Sequence, residues 1–282
     1  MKSLKMLLQT QHQALNLQIA DLNFNFTFIY VIIGLCVNSA QPFLLDGGKM
    51  SYIEENLKEV EQKIQAACDR AGRDRSEVKL ICVSKTKPVS DIREAMRLGQ
   101  DTFGENKVQE IKDKTTEITE PLHWHMIGHL QTNKVKYLPG RVDMIHSVDN
   151  AGLAAEIEKQ AAKADIVMDV LCEVNVAQEE SKFGLTVDET PDFVKEISKY
   201  PHVRVRGLMT IAPYTDDPES NRGYFKTLKQ LMLDINAMNI PNVNMDTLSM
   251  GMTGDYEVAI EEGATFVRVG TGIFGERDYS KK

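Results

Sequence analysis

Eight short apolar runs alternate with seven stretches of helical spacing, and this order constrains the fold more than any other feature of the chain. The apolar runs, interpreted as strands, cover residues 78–84, 101–103, 122–127, 142–146, 166–174, 203–208, 243–248 and 265–269. The helical stretches lie near residues 89–98, 105–117, 131–137, 150–163, 188–199, 218–238 and 254–262. Strands that alternate with helices form a parallel sheet, and eight of them predict a single α/β domain, a closed (β/α)8 barrel of the TIM type. An open doubly wound sheet is the alternative, but no GxGxxG motif follows the first strand.

The barrel is predicted to be preceded by an N-terminal helix that starts after Ser51. Apolar residues recur there at helical spacing, at Ile53, Leu57, Val60, Ile64 and Ala67–Cys68. Ser51 is a suitable N-cap, and Gly72 ends the pattern. This helix can supply the eighth helix of the barrel. Because residues 50–282 contain no internal repeat, low-complexity segment or linker, we interpret them as one domain.

Residues 1–49 differ in composition from the rest and are predicted to be an N-terminal extension. They contain an apolar run of twelve residues, Phe26 to Val37, broken only by Thr27 and Gly34. A membrane-spanning helix needs about 20 apolar residues, so this run is short for one. We expect the extension to be disordered or to result from a mis-assigned start, since a well-formed helix opens at Met50. A tail that touches a membrane and a cleaved signal peptide are the alternatives.

Composition and charge narrow the classes of partner. The formal net charge is −8, and the chain has no basic run, aromatic RNA-binding motif or zinc-ligand spacing, so no nucleic-acid partner is expected. The four cysteines, Cys36, Cys68, Cys82 and Cys172, stand far apart and form no CxxC pair, which fits a reducing compartment. We expect a cytoplasmic monomer that binds neither a membrane nor a metal ion.

A lysine stands at the end of the first predicted strand, in the apolar run from Leu80 to Pro88. Side chains alternate along a strand, so Val83 and Lys85 share a face. If that face points into the barrel, Lys85 lies at the carboxyl ends of the strands, where α/β folds place their chemistry. A partly desolvated amine becomes neutral more easily and can then attack a carbonyl to form a Schiff base. A surface lysine at a strand end is the alternative.

Two glycine-rich segments, Ser249–Asp255 and Gly270–Gly275, are predicted to follow the seventh and eighth strands. Glycines let backbone amides approach an anion, while hydroxyl groups and a helix N-terminus add donors and positive partial charge. In a TIM-type barrel these two loops are neighbours and often bind phosphate. Either segment alone is compatible with an ordinary turn, but together they predict a phosphate site.

Three further side chains have two interpretations each. Arg268 ends the eighth predicted strand, so it either directs a permanent cation towards whatever binds near Lys85 or pairs with a surface carboxylate. His123 and His125 share one face of the third strand. No third ligand is evident for a metal site, so packing or hydrogen bonds on the barrel floor are favoured.

Several polar residues remain undecided from the sequence. Asn106 follows the second strand and either reaches into the barrel mouth or caps the next helix through its side chain. Glu173, Asn175, Lys182 and Gly184 lie on or after the fifth strand, and their residue types alone indicate no particular role.

Six segments in order, taken together, have a recognisable pattern. They are Val83–Pro88, Phe103–Asn106, Trp124–Lys134, Gly207–Thr210, Ser249–Asp255 and Arg268–Gly275. In these motifs the chain resembles the pyridoxal phosphate homeostasis proteins, a family that is similar to the N-terminal barrel of alanine racemases. The resemblance covers residues 50–282 and leaves residues 1–49 outside it.

The resemblance implies binding of pyridoxal 5′-phosphate (PLP), with Lys85 joined to it covalently as an internal aldimine. It also implies that a set of hydroxyl groups and backbone amides holds the phosphate. That set consists of Ser249, Gly251, Met252, Thr253, Gly254, Gly270 and Thr271.

The remaining implied contacts concern the pyridine ring. By resemblance, Arg268 faces the ring nitrogen, Asn106 and His129 line the pocket near the ring, and Met209 belongs to the same cofactor-binding set. One departure from the family pattern occurs on the fifth strand, where Glu173 occupies a place at which a glutamine is expected.

Three functions agree with these residues. The one we expect is a PLP-binding protein that stores, buffers or delivers the cofactor, transiently to apo PLP-dependent enzymes, and so affects amino-acid and keto-acid metabolism indirectly. A PLP enzyme such as an amino-acid racemase is the second. The resembling racemases take their second base from an additional C-terminal domain, whereas twelve residues follow Gly270 here. A Schiff-base aldolase acting on a phosphorylated sugar is the third, but no residue evidently supplies its second acid or base. We therefore predict no catalytic residues.

Overall fold

A closed barrel of eight parallel strands forms the centre of the molecule in the computed structural model, which describes residues 50–179 and 182–276. The strands are β1 (Lys79–Val83), β2 (Thr102–Glu105), β3 (His123–Met126), β4 (Met144–Val148), β5 (Met168–Glu173), β6 (Val203–Met209), β7 (Thr247–Met252) and β8 (Phe266–Val269). Each strand pairs with the next in chain order, and β8 closes the barrel on β1. The predicted (β/α)8 fold is confirmed, while the prediction for residues 1–49 lies outside the described residues.

Helices surround this barrel and cover its outer face. They are α1 (Tyr52–Ala71), α2 (Val89–Arg97), α3 (Val108–Glu117), α4 (Ala151–Lys163), α5 (Thr190–Ile197), α6 (Arg222–Ala237), α7 (Tyr256–Glu261) and α8 (Thr271–Phe274). The first of them begins and ends as the sequence predicts. The Ser51 hydroxyl accepts a hydrogen bond from the Glu54 amide at 3.2 Å, and Gly72 ends the helix with φ +64°. Within the described residues, none of the helices combines the length and the hydrophobicity that a membrane span requires.

Two predicted elements differ from the structure. The helix expected at 131–137 is a short 3₁₀ helix, Thr132–Tyr137, because Pro139 and Gly140, the latter with φ +74°, turn the chain immediately after it. The seventh strand was predicted at 243–248 but runs from Thr247 to Met252. The first half of the glycine segment therefore belongs to the strand and only its second half to the loop.

Two apolar cores lie on opposite sides of the barrel wall. The larger core packs between the strands and the helices and contains every apolar residue predicted for the buried face of α1. The smaller core lies inside the barrel, where Met144, Leu171 and Met209 pack together with Phe266 against them. We call this smaller core the apolar plug. Side chains alternate along each strand, so residues further along the same inward face line the open end of the barrel, at the carboxyl ends of the strands.

Strands β6 and β7 pack so closely that Gly207 has no room for a side chain. A Cβ added to Gly207 would lie 1.8 Å from the carbonyl oxygen of Thr247, its partner on β7. We expect Gly207→Ala to separate the two strands and to lower the free energy of unfolding by about 3 kcal/mol, the upper end of the usual cost of overpacking.

The matched control is Gly223→Ala on α6, where an added Cβ meets nothing within 4 Å. Alanine favours a helix over glycine by up to about 1 kcal/mol, so this variant should be as stable as the wild type or more so. Urea unfolding of the two variants measures both effects. A Gly207→Ala protein with wild-type stability would contradict the close approach.

Candidate functional site

A cavity of about 560 Å³ opens at the carboxyl ends of the strands. Its wall contains eight of the twelve predicted site residues, namely Lys85, Asn106, Met252, Thr253, Gly254, Arg268, Gly270 and Thr271. A cavity of this size can enclose most of the surface of a cofactor. The strands and the loops after them thus bring together side chains that lie far apart in the sequence.

Lys85 enters the cavity because of the alternation along β1. Val83 ends the strand with its side chain in the cavity wall, and Lys85 follows on the same face, partly buried. The next lysine points elsewhere, since the Nζ of Lys87 donates to the carbonyl oxygens of Phe274 at 2.5 Å and Glu276 at 2.9 Å. The amine predicted to react is therefore in the cavity, and its nearest neighbour in sequence is engaged with the end of α8.

Hydroxyl groups and amides from the two glycine-rich segments meet at one corner of the cavity. The Thr253 hydroxyl oxygen lies 3.4 Å from the amides of Gly270 and Gly272, which point towards it, and 3.3 Å from the Thr271 hydroxyl. These contacts are long, so the donors keep capacity for a further acceptor. A Cβ on Gly272 would approach the Val269 side chain to 2.9 Å, which explains why glycine occupies this turn.

A pair of buried polar residues that the sequence analysis missed fixes one side of the cavity. The Asn221 side-chain amide donates to the Asp255 carboxylate at 2.8 Å and to the carbonyl oxygen of Pro213 at 3.0 Å. Asp255 in turn accepts from the Met252 amide at 2.7 Å. This pair ties the loop after β6 to the loop after β7. The only sequence signal for it was the aspartate at the end of the glycine segment.

Arg268 points inward from β8 and is 4% exposed. Its Nη1 donates to the Ser249 hydroxyl at 2.5 Å, and its Nη2 donates to the Thr210 carbonyl oxygen at 2.8 Å. Burial lowers the pKa of Arg268 to about 10, opposed by the charges of Asp255 and Glu173, so the guanidinium remains protonated at neutral pH. Arg268 therefore points into the barrel, while its role towards a ligand remains a prediction.

A chain of hydrogen bonds runs from Arg268 to the interior of the barrel. Ser249 lies 3.0 Å from His146 Nδ1, and His146 Nε2 lies 2.8 Å from His125 Nδ1. A guanidinium only donates, so the Ser249 hydroxyl accepts from Arg268; it also contacts His146, which in turn contacts His125. Burial lowers the pKa of His146 well below its usual value and that of His125 to about 3, so both imidazoles are neutral.

Four predicted site residues lie outside the lining of the cavity. Ser249 is fully buried beside Arg268, and Met209 belongs to the apolar plug inside the barrel. Gly251 has φ +89° and faces α7, where an added Cβ would meet Ala259 at 2.6 Å. His129 is exposed, and its ring stacks on Phe183 with centroids 3.7 Å apart. Their roles towards a cofactor remain predictions.

The undecided polar residues now have definite surroundings. Asn106 lines the cavity and does not cap α3, whose N-cap position is Lys107. Lys182 also lines the cavity and forms an ion pair with Glu179. The Asn175 side chain holds the loop after β5, donating to the Glu179 carbonyl oxygen at 2.9 Å.

The histidines of the third strand are not arranged as a metal site. His125 is buried and hydrogen-bonded within the barrel, as the preferred interpretation expected. His123 is exposed at the other end of β3, 3.5 Å from the Asp143 carboxylate. Over residues 50–179 and 182–276 no group of three or more His, Cys, Asp or Glu could hold a metal ion.

Glu173, at the carboxyl end of β5, is a buried acid without a full set of partners. It is 6% exposed, and its Oε2 accepts no hydrogen bond within the described part of the chain. Burial raises the pKa of Glu173 to about 7, the charge of Asp149 adds to this effect, and Arg268 opposes it. The carboxyl group is therefore poised to change its charge near neutral pH.

The chain is similar both to a broad domain family and, more specifically, to individual proteins that share one name. Residues 55–278 match the family model described as alanine racemase, N-terminal domain. The pyridoxal phosphate homeostasis protein of Aquifex aeolicus is 50% identical over 230 residues, which cover 80% of this chain and 98% of that protein. The protein of the same name from Escherichia coli is 40% identical over 238 residues, which cover 83% of this chain and 100% of that protein.

Solved structures show the same relationship. PipY of Synechococcus elongatus with PLP bound superposes with a TM-score of 0.69 at 33% identity, covering 79% of this chain and 100% of PipY. An alanine racemase of Clostridium difficile superposes with a TM-score of 0.63 at 11% identity, covering 79% of this chain and 57% of the racemase. The racemase shares the fold, and at this identity nothing further follows from it.

Relative to the wild type, the Glu173→Gln variant should gain stability as the pH rises. The folded-state pKa of this carboxyl group is about 7, against 4.5 for the unperturbed group. As the pH rises between these values, the unfolded chain releases its proton first, so the wild type loses stability and the glutamine variant does not. The advantage of the variant should grow by about 2 to 3 kcal/mol between pH 5 and pH 8.

Urea unfolding at several pH values measures this difference. Glu196→Gln on α5 is the control, because it makes the same change at an exposed position. Its stability relative to the wild type should vary little with pH. A constant offset for Glu173→Gln across the range would show that the buried carboxyl group does not titrate there.

Proposed function

Because this chain belongs to the family of pyridoxal phosphate homeostasis proteins, within the wider alanine racemase N-terminal domain family, we propose that it binds PLP and takes part in intracellular PLP homeostasis. In this role it stores, buffers or delivers the cofactor and affects amino-acid and keto-acid metabolism indirectly. The observation that carries the proposal is the meeting of an amine, Lys85, with two glycine-rich loops in one cavity.

The chemistry of the cavity wall fits a phosphorylated pyridine aldehyde. Thr253 and Thr271, with the amides of the loops at Gly254 and Gly270, offer hydroxyl and N–H donors at one corner, as a phosphate requires. Arg268 presents a buried cation that can only donate hydrogen bonds, which suits the lone pair of an unprotonated ring nitrogen. In this arrangement, Lys85 would meet the aldehyde.

Attachment of the cofactor follows ordinary Schiff-base chemistry. The Nζ of Lys85, in its neutral form, forms a C=N bond to the aldehyde carbon, and its two hydrogens leave with the aldehyde oxygen as one molecule of water. No oxidant or reductant is needed, and hydrolysis reverses the step. When bound, PLP supplies an electron sink for amines attached to its aldehyde carbon.

Delivery to other proteins is the further part of the proposal. A reversible bond in a cavity that opens to solvent allows the cofactor to leave again, so apo PLP-dependent enzymes are the expected transient recipients. We place this exchange in the cytoplasm, because the thiols Cys68, Cys82 and Cys172 are unpaired and buried. We expect the protein to act as a monomer.

Arg268 argues against efficient catalysis on amino acids. PLP works best as an electron sink when its ring nitrogen is protonated, and an acidic group beside that nitrogen favours the proton. Arg268 remains a cation beneath the cavity and disfavours a second positive charge near it. A racemase would also need a second base on the opposite side of the substrate. We therefore favour binding and exchange of PLP over turnover.

Lys85→Ala is the direct test of the attachment site. The variant should lose the visible absorption band of the Schiff base and yield no covalent adduct after borohydride reduction, while noncovalent binding through the phosphate corner persists. Absorption spectroscopy and intact-protein mass spectrometry measure both effects. Lys182→Ala is the control, because it removes the other amine that lines the cavity. A reducible adduct in Lys85→Ala, lost in Lys182→Ala, would move the attachment to Lys182.

Exchange at the Cα of amino acids distinguishes a carrier from an enzyme. Wild-type protein loaded with PLP should exchange Cα hydrogen of L-amino acids for deuterium far more slowly than about 1 s⁻¹, an ordinary enzymatic turnover. NMR in deuterated buffer follows the exchange, and reconstitution of an apo PLP-dependent enzyme follows delivery. Exchange or racemisation faster than that rate would establish an enzyme in place of a carrier.

A further inference from the structure

A buried cluster of charged side chains lies behind the strand that presents Lys85. Glu105, at the end of β2, is fully buried, and the Lys114 side chain, from α3, is 8% exposed. Lys114 Nζ donates to Glu105 at 2.7 Å and to Glu110, one turn earlier on α3, at 3.0 Å. None of the three lines the cavity, so this cluster belongs to the outer side of the barrel wall.

The cluster forms hydrogen bonds with the residues on both sides of Lys85. On the N-terminal side, the Ser84 hydroxyl donates to Glu105 at 2.6 Å, and Lys114 Nζ donates to the Ser84 carbonyl oxygen at 2.9 Å. On the C-terminal side, the Thr86 amide donates to Glu110 at 2.7 Å. Lys85 is thus the single residue between two anchored neighbours.

The second anchored neighbour has an uncommon backbone conformation. Thr86 has φ +65°, in the left-handed region that residues with a branched Cβ seldom adopt. The Lys87 amide donates to the Ser84 carbonyl oxygen at 3.0 Å and closes the turn around Lys85. Such a conformation persists only where the surroundings impose it, and Glu110 supplies the hydrogen bond that does so here.

General stability does not account for this cluster. Removing charged groups from water is costly, and apolar residues of similar volume often stabilise a fold equally well or better. Several ion pairs in the described part of the chain lie at exposed positions, among them Lys63–Glu59, Arg93–Glu120 and Lys195–Asp192, where the same residue types bear no such cost. The common property of Glu105, Glu110 and Lys114 is a hydrogen bond to one of the two residues that flank Lys85.

We propose that Glu105, Glu110 and Lys114 are positioning residues for Lys85, which fix the turn from Ser84 to Lys87 so that the amine stands in the cavity ready to join an aldehyde. This inference rests on the proposed function and extends it to residues that lie outside the lining of the cavity. It follows that loss of the cluster slows formation of the covalent bond without weakening the contacts to the phosphate and the ring. Misplacement of a reacting group by about 1 Å can slow a reaction by up to about a hundredfold.

Two ligands separate positioning of the amine from general damage to the site. PLP reports on covalent attachment through its absorption band and through the adduct that borohydride traps. Pyridoxine 5′-phosphate has the same ring and phosphate but no aldehyde, so its affinity reports on the noncovalent contacts alone. A merely structural cluster would lower the melting temperature and both ligand responses together.

Lys114→Met is the first variant, because methionine keeps an apolar stem and removes the charge. We expect the rate of adduct formation with PLP to fall about tenfold or more, with the affinity for pyridoxine 5′-phosphate unchanged within about twofold. Lys112→Met on the same helix is the control, since Lys112 lies over the Tyr137 ring and outside the cluster. It should behave as the wild type with both ligands.

Glu110 offers a second pair of variants with less risk to folding, because its side chain is 20% exposed. Glu110→Ala leaves the Thr86 amide without its acceptor and should slow adduct formation about as much as Lys114→Met. Glu110→Gln retains a side-chain carbonyl oxygen for that amide and should recover most of the wild-type rate. This rescue would not occur if the charge at Glu110 only stabilised the fold.

The outcomes distinguish this inference from the proposed function. Wild-type protein that forms no adduct with PLP overturns the proposed function and the inference with it. A normal wild-type adduct, combined with wild-type rates in Lys114→Met and Glu110→Ala, overturns the inference alone. Equal loss of PLP attachment and pyridoxine 5′-phosphate affinity in folded variants likewise overturns it, in favour of a structural role. Slower attachment with normal affinity, rescued in Glu110→Gln, supports it.

Discussion

The burial of one guanidinium group, that of Arg268, is the constraint on which the upper half of the barrel depends. A charged group removed from water destabilises the fold unless fixed partners satisfy it, and here the partners come from other strands. Ser249 belongs to β7, and the Thr210 carbonyl oxygen lies directly after β6. The same few contacts therefore fix three neighbouring strands against one another and hold the cation at the base of the cavity. These contacts also require that the imidazoles of His125 and His146, below the guanidinium, are neutral. Burial keeps both imidazoles neutral because it lowers their pKa.

Sequence periodicity predicted the fold because most of the strands and helices follow it locally. The inward position of Arg268 and Lys85 follows from alternation along β8 and β1, and the sequence alone suggested both. Alternation fails at β7, where Ser249 pairs with Phe266 and Met252 pairs with Arg268, three residues against two. The extra residue is a bulge around Gly251, which turns both Ser249 and Met252 towards the barrel side. A strict alternation of apolar and polar residues does not reveal such a bulge. The sequence therefore predicted that the seventh strand ends at residue 248, before the bulge.

The residues that the sequence missed share a different property. Glu105, Lys114 and Asn221 act through partners 4 to 34 residues away in the chain. Glu105 does end β2, within the segment Phe103–Asn106, but its residue type does not indicate which side chains it contacts. Single residues of common types carry no local signal of such pairing. Burial does reveal them, because a buried charged or amide side chain must find partners, and those partners are identified only when the chain is folded. The fold brings β2 and α3 together and so places Glu105 beside Lys114.

The electrostatic potential in the cavity depends on where the acidic side chains of the protein lie. The chain has a formal net charge of −8, yet the charged residues that line the cavity are Lys85, Lys182, Arg268 and a single acid, Asp255. At short range these cations outweigh the distant negative surface, whose field is screened over about 8 to 10 Å. One further acid lies just behind the wall, Glu173, and burial raises its pKa to about 7. While it holds its proton it does not cancel the positive charge of the cavity. The burial that makes this carboxyl group costly when ionised therefore also preserves a field that favours an anionic ligand, and that field weakens as the pH rises above 7.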